Sequence, residues 1–556
     1  MHLVKMTETS DKYCNRCGKK INLSNPVDWF LQHFNSTICY ECKELIDSER
    51  LAKVEFGDVK MTFMDKMERD SNYKYTENLA LTHASTLDNV LDFFSLGGAL
   101  RARSETDIWQ LFMKAFAQDR LLALKCLFYL RDIRGGQGER RTFRTVINGL
   151  GKTYPLIINK NLQNVPFFGR WDDLYELIGT GSEKPMWEYL HEQLVSDVQG
   201  ESPSLLAKWL KSENTSSTKS RRLGKLTRQA LGFPNAKTYR KILSELRKKI
   251  DIVERKMCSN EWNGIKFENV PSRASMIYSK AFRKHEPERY QAYLDAVKKG
   301  EKTIKTATLY PYDILRAICK QTDNIEALNV MWDNQKDWLD GKEEPSIVVC
   351  DTSGSMGSLR STYERQGGVL PILVAVSLAM YFAERNKHPA FNNTFITFSI
   401  APQIQRIKGK TLYDKAINLN NAHWDGNTNL QAVFDLILNT AQRHKVSEDE
   451  MIKKIYIISD MEFDSATTSY RSRDATNFEA IKQKYADAGY QMPTLVFWNV
   501  DARQNQAPIT FDEKGVFLVS GCSPSIFESL MASKVLTPVD MMLEVLNKER
   551  YSRIVV

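Results

Sequence analysis

The eight histidines of this 556-residue chain show no H-x-x-x-H or H-E-x-x-H spacing. The two-imidazole helical zinc site of a metalloprotease is therefore excluded. No G-x-S-x-G elbow occurs: Ser355 stands in Ser353-Gly354-Ser355-Met356-Gly357, with serine where the first glycine belongs. Long apolar runs are missing too. The longest, Val369 to Ala383, is too short to cross a bilayer and reads as a buried helix. Met1-His2-Leu3-Val4-Lys5 opens without an apolar core of signal-peptide length. No membrane association is expected, and the expected location is cytoplasmic. Cysteine is sparse: of nine, only four form C-x-x-C pairs. Cys126, Cys258, Cys319, Cys350 and Cys522 are scattered in mostly apolar patterns and read as buried thiols. That usage fits a reducing compartment.

What is present is ordinary for a globular protein: 42% hydrophobic and 26% charged residues, in a chain long enough for two or three domains. The net charge of +9 is unevenly placed. Residues 346–556 carry 22 basic and 22 acidic side chains, whereas residues 208–256 carry 15 basic against 4 acidic. Such a local surplus points to an anionic partner.

Four textures follow one another. Residues 1–50 hold Cys14-Asn15-Arg16-Cys17 and Cys39-Tyr40-Glu41-Cys42, two knuckles at zinc-ribbon separation, so Cys14, Cys17, Cys39 and Cys42 are the expected thiolates of a structural Zn²⁺ site. Residues 51–77 are polar and read as a linker. From 78 to 344 apolar residues recur at three- and four-residue steps, as in Ile108-Trp109-Leu111-Phe112-Ala115-Phe116, which predicts an all-α array of antiparallel helices without a fixed-period repeat. Arg134-Gly135-Gly136-Gln137-Gly138-Glu139-Arg140 interrupts two of these helices. It lacks the preceding strand and the Lys-Ser/Thr of a P-loop and reads as a helix–helix turn. From 345 to 556, strand-like runs (346–350, 393–399, 404–408, 452–459, 493–500, 515–519) alternate with helical ones (370–386, 430–444, 477–488, 524–532, 539–548), the pattern of a doubly wound α/β sheet.

Hydroxyls and carboxylates gather where these strands end. Asp351-Thr352-Ser353-Gly354-Ser355 follows the β-branched run 346–350, Thr428 precedes a helical pattern, and Asp460 closes the run 455–459. Asp351, Ser353, Ser355, Thr428 and Asp460 thus form a candidate set of hard oxygen ligands for Mg²⁺ or a similar divalent cation, at the strand edge where such folds bind ligands. Glu462 and Asp464 extend the run of acids toward a multi-carboxylate nuclease centre, but alternate residues share a face only while a strand continues. No enzyme is expected.

This D-x-S-x-S…T…D set resembles the metal-ion-dependent adhesion site (MIDAS) of von Willebrand factor A domains, where the cation keeps a position open for a partner's carboxylate. A helical array followed by such a domain resembles the Ro ribonucleoprotein layout, with its TROVE module of HEAT-like repeats. Closer in wording is an uncharacterised family of plant, bacterial and phage proteins of that layout. Arg131-Asp132-Ile133-Arg134-Gly135-Gly136-Gln137-Gly138-Glu139-Arg140, Gly169-Arg170-Trp171-Asp172-Asp173-Leu174, Lys208-Trp209-Leu210, Tyr239-Arg240-Lys241 and Ser459-Asp460-Met461-Glu462-Phe463-Asp464 carry that resemblance. The Ro resemblance implies RNA, small and structured or single-stranded, as the anionic partner. The surface implied here comprises Lys208, Lys219, Arg221, Arg222, Lys225, Arg228, Lys237, Tyr239, Arg240, Lys241, Arg247, Lys248 and Lys249. The expected function is an RNA-binding scaffold whose α/β domain docks a carboxylate-bearing protein through the cation. The alternative is a Mg²⁺-dependent protein–protein adaptor without nucleic acid.

Overall fold

The computed structural model describes residues 62–320, 324–359, 369–398, 402–420, 428–464, 476–532 and 537–556. The four cysteines of the expected zinc ribbon lie outside them. The chain divides into two compact units, residues 1–71 and 72–556. In the first, Phe63–Ser71 is a helix. The second begins with a short antiparallel ladder, β1 (Tyr73–Tyr75) and β2 (Leu81–His83). The stretch expected to be a linker therefore contains regular structure. Its polar composition hid strands that make their contacts far along the chain.

Helices dominate up to residue 333, beginning with Asn89–Gly97, Glu105–Gln118, Arg120–Arg131 and Arg141–Thr153. Capping is local and visible in the sequence: Asp88, Ser104 and Asp119 each accept the amide hydrogen bond that starts a helix. The Gly-rich segment 132–140 is the helix–helix turn expected of it. Gly138 has φ +62°, and a Cβ there would lie 1.7 Å from the Tyr310 hydroxyl, so only glycine fits. Trp171–Leu177 forms a 3₁₀ helix, pinned by the buried Arg131–Asp173 ion pair at 2.8 Å.

The α/β region contains β3 (Ser346–Asp351), β4 (Thr394–Phe398), β5 (Gln403–Arg406), β6 (Lys454–Ser459), β7 (Thr494–Asn499) and β8 (Val516–Ser520). They form one mixed sheet in the order β5-β4-β3-β6-β7-β8. Only the β4–β5 pairing is antiparallel. Every residue of β3 and β6 is buried, as expected of central parallel strands covered on both faces. The helix Pro371–Arg385 is buried from Pro371 to Ala383, because it lies between β3 and the helix Pro311–Lys320. The helix Leu412–Asn420, among polar residues, was not expected.

Helical and α/β regions share one core. Gly98 approaches Gly521 so closely that a Cβ on Gly98 would lie 2.9 Å from the Gly521 Cα. Ser520 Oγ accepts from the Gly98 amide at 3.0 Å and donates to Phe94 O at 3.2 Å. The C-terminal residues return to the helices: Arg550 Nη2 donates to Asp132 Oδ1 at 2.8 Å and Arg553 Nε to Asn164 Oδ1 at 2.6 Å. Cys126, Cys350 and Cys522 are buried thiols, whereas Cys258 and Cys319 are exposed, contrary to expectation, near the ends of their helices. No described helix is long and apolar enough to cross a membrane.

Candidate functional site

Numbered in chain order, the six strands of the sheet lie as 3-2-1-4-5-6, so the direction in which successive strands are added reverses between the parallel neighbours β3 and β6. Crevices open at such a reversal, beyond the carboxyl ends of the strands. Asp351 is the last residue of β3 and Asp460 the first after β6. The ends of two buried β-branched strands thus bring two carboxylates, 0% and 1% exposed, to the same crevice.

Asp351 Oδ1 accepts the Ser353 amide at 2.9 Å, which folds the loop back on the strand end, and its Oδ2 accepts the Ser459 hydroxyl at 2.5 Å. The Ser353 and Ser355 hydroxyls face each other at 2.9 Å. Burial, and after it the neighbouring Asp460 charge, push the Asp351 carboxyl up to about 7. Asp460 Oδ1 accepts the Glu462 amide at 3.2 Å, and Oδ2 pairs with Arg503 Nη2 at 2.9 Å. Between them Met461 adopts φ +66°, an uncommon left-handed conformation for a side chain of this kind, and the chain turns sharply off the strand. Glu462 and Asp464 consequently diverge from Asp460. Glu462 Oε2 accepts the Glu77 amide at 2.8 Å, and Asp464 Oδ1 and Oδ2 hold the hydroxyl and amide of Thr428, both at 3.1 Å. Glu462 is 0% exposed, burial raises its pKa, and its Oε1 has no hydrogen-bond partner among the described residues.

The residues between β1 and β2 cover this crevice. Asn78 Nδ2 donates to Thr428 Oγ1 and to Glu462 O, both at 2.7 Å. Thr76 Oγ1 donates to Phe463 O at 2.8 Å, and Glu77 Oε2 pairs with Arg503 Nη1 at 2.6 Å. Arg503 therefore bridges the cover and the crevice.

The donor set suits a hard cation: oxygen only, with the two buried carboxylates of Asp351 and Asp460 beside the Ser353 and Ser355 hydroxyls. Among the described residues no three His, Cys, Asp or Glu side chains form a metal-binding cluster. A cation here would rest on Asp351, Asp460 and the Ser353 and Ser355 hydroxyls. Thr428 belongs to the same network, through Asn78 and Asp464.

The basic stretch separates into two sets. Lys219, Arg221, Arg222 and Lys225 on the helix Thr218–Ala230, and Lys237, Arg240, Lys241, Lys248 and Lys249 on the helix Ala236–Lys249, are exposed. None of these nine pairs with a carboxylate among the described residues; Lys249 Nζ donates to Gly200 O at 3.1 Å. The remaining four are engaged. Tyr239 is buried, its hydroxyl donating to Lys211 O at 2.8 Å, so its ring is not open to a base. Arg247 donates to Ala207 O at 2.8 Å and Leu210 O at 3.0 Å, and Arg228 pairs with Glu213 at 2.7 Å. Lys208 is half-buried, 5.9 Å from the Trp209 ring centre. Tyr239 lies on the inward face with Leu243 and Leu246, and Arg247 flanks it, which explains the correction for both.

Residues 345–552 match a family described as "Domain of unknown function (DUF7788)". Residues 76–230 and 204–343 match a second, "Domain of unknown function (DUF2828)". The chain is also similar to "Uncharacterized protein L728" of Acanthamoeba polyphaga mimivirus, 27% identical over 523 residues, which are 86% of this chain and 87% of that protein. The two family matches meet where the helices give way to β3.

Arg503, Glu77, Asn78 and Ser459 went unread as site residues. Ser459 sat beside Asp460 in a strand-end position and was readable. The other three lie in loops more than 150 residues from Asp351, Glu77 within the stretch taken for linker, with no local signal.

Proposed function

We propose that this protein is an RNA-binding scaffold. Its helical region, HEAT-like in character, holds RNA on the exposed cations of the helices Thr218–Ala230 and Ala236–Lys249. Its α/β region, of von Willebrand A type, docks a protein carboxylate at the crevice between β3 and β6. The observation that carries the RNA half is the nine exposed cations on two adjacent helices, none paired with an acid among the described residues. Cations of that kind displace counterions from phosphate without first giving up a protein partner. The strand order, with its antiparallel edge strand, and the Asp351-Ser353-Ser355 loop support the docking half.

A divalent cation held by Asp351, Asp460, Ser353 and Ser355 would supply an open position for a carboxylate. The chain's own residues do the rest. Burial keeps water from the carboxylates, Ser459 and the Ser353 amide orient Asp351, and Arg503 competes for Asp460. Docking would further require the residues between β1 and β2 to yield the crevice mouth.

The test is the nuclease sensitivity and absorbance ratio of material that co-purifies at low salt. Discrete RNA released at high salt is expected. Protein free of nucleic acid and unable to retard structured RNAs would leave a cation-dependent protein adaptor instead. In that case Mg²⁺-dependent capture of a protein should survive nuclease and be lost in Asp351→Asn.

A further inference from the structure

A cavity of about 970 Å³ opens among the helices, lined by none of the residues assigned to the two surfaces above and within the size range of small-molecule pockets. Its wall contains seven arginines against four acids, with Tyr310 and Tyr312 at one side. Three of the four acids are already committed, and the fourth, Glu105, is exposed at the start of the helix Glu105–Gln118. Glu139 pairs with Arg101 at 2.7 Å and accepts the Arg141 amide at 2.9 Å. Asp313 pairs with Arg273 at 3.2 Å, and Glu176 with Arg144 at 3.4 Å.

Arg140 and Arg141 pair with no carboxylate among the described residues. Arg141 Nη1 donates only to backbone carbonyls, Arg101 O at 2.9 Å and Arg103 O at 2.5 Å among them, which orient it without cancelling its charge. Among the described residues Arg140 has no side-chain hydrogen bond or ion pair. Burial first, and then the neighbouring cations Arg170, Arg131 and Arg144, lower its pKa to about 10, against a smaller opposing effect of Asp173. Placing several arginines around one space is unfavourable unless an anion fills it. The tight glycine turn 135–138 sets Arg140 and Arg141 at the start of the helix Arg141–Thr153, on the cavity wall.

We propose that this cavity binds a multiply charged phosphate group, with Arg140 and Arg141 as its free cationic contacts. The guanidinium fork matches phosphate oxygens in pairs. This goes beyond the RNA-scaffold reading, which uses other residues. Two sources share the chemistry: a free phosphate compound of nucleotide size, and the phosphorylated end of an RNA.

The experiment titrates the full chain with tripolyphosphate and with ATP by calorimetry, comparing wild type, Arg140→Gln and Arg221→Glu/Arg222→Glu. Because Arg140 makes no side-chain hydrogen bond or ion pair among the described residues, its variant should keep the wild-type unfolding midpoint. Binding at least tenfold weaker in Arg140→Gln, and unchanged in the surface variant, is expected. A parallel pair of oligonucleotides, identical except for a 5′-triphosphate or a 5′-hydroxyl, separates the sources. A triphosphate preference lost in Arg140→Gln assigns the RNA end, and tight ATP binding without that preference assigns the free compound. No binding of any probe at millimolar concentration, or equal binding by Arg140→Gln, would overturn the proposal.

Discussion

The crevice at the sheet edge and the cavity among the helices handle charge in opposite ways. The crevice and its floor bury Asp351, Asp460 and Glu462, each at most 1% exposed, and of these Asp460 pairs with the guanidinium of Arg503. The cavity gathers seven arginines and four acids, three of which pair with arginines of the same wall. One region is short of positive charge and the other of negative. Burying like charges together costs stability, so each arrangement makes sense as a place kept for a counter-charge from outside. The difference lies in rigidity. The crevice is built from strand ends and one covering segment, whereas the cavity is framed by ion pairs between helices.

That difference can be tested from its strongest element downward. Asp173 anchors the cavity frame, holding Arg131 at 2.8 Å and Arg144 at 2.7 Å from full burial. Asp173→Ala strands the buried Arg131 and should cost about 3–5 kcal/mol, read as a lower urea midpoint. A loss under 1 kcal/mol would mean that the frame is not held by this pair. In the crevice, Arg503→Gln removes the competitor for Asp460. Mg²⁺ affinity, measured by calorimetry, should rise about tenfold, equivalent to about 1.4 kcal/mol. Unchanged or weaker affinity would show that Arg503 supports the site instead.

A buried carboxylate outside both regions serves as the reference. Burial pushes Asp92 up to about 6, against the lowering effect of the Thr86 amide that it accepts. The folded state therefore holds a proton that the unfolded chain has released, and stability falls as pH rises from about 4 to about 6. Asp92→Asn should flatten that window by on the order of 1–3 kcal/mol in chemical unfolding at several pH values. An unchanged pH profile would remove Asp92 as its source.

The crevice was largely legible in the sequence and the cavity was not, for a physical reason. Asp351, Ser353 and Ser355 lie within five residues of each other behind a β-branched strand, and Asp460 ends another, so period and position reveal them together. The strands themselves were readable because central parallel strands are apolar on both faces. The cavity arginines come from five separate stretches interleaved with acids, and a running charge count averages them away. The same count did find the exposed helices 218–249. It could not tell outward Arg221 from Arg247, which the fold spends on carbonyls. Likewise, residues 73–77 looked like polar linker because their partners, Phe463, Glu462 and Arg503, lie almost four hundred residues or more away.

The most direct measurement of the central claim is RNA affinity as a function of salt for the wild type and for Arg221→Glu/Arg222→Glu/Lys225→Glu. The account predicts a steep loss of affinity with salt in the wild type. The variant should bind more weakly, its log–log slope shallower by about 2, as three lost phosphate contacts on a single strand require. Equal affinity and equal slope in the two proteins would contradict it.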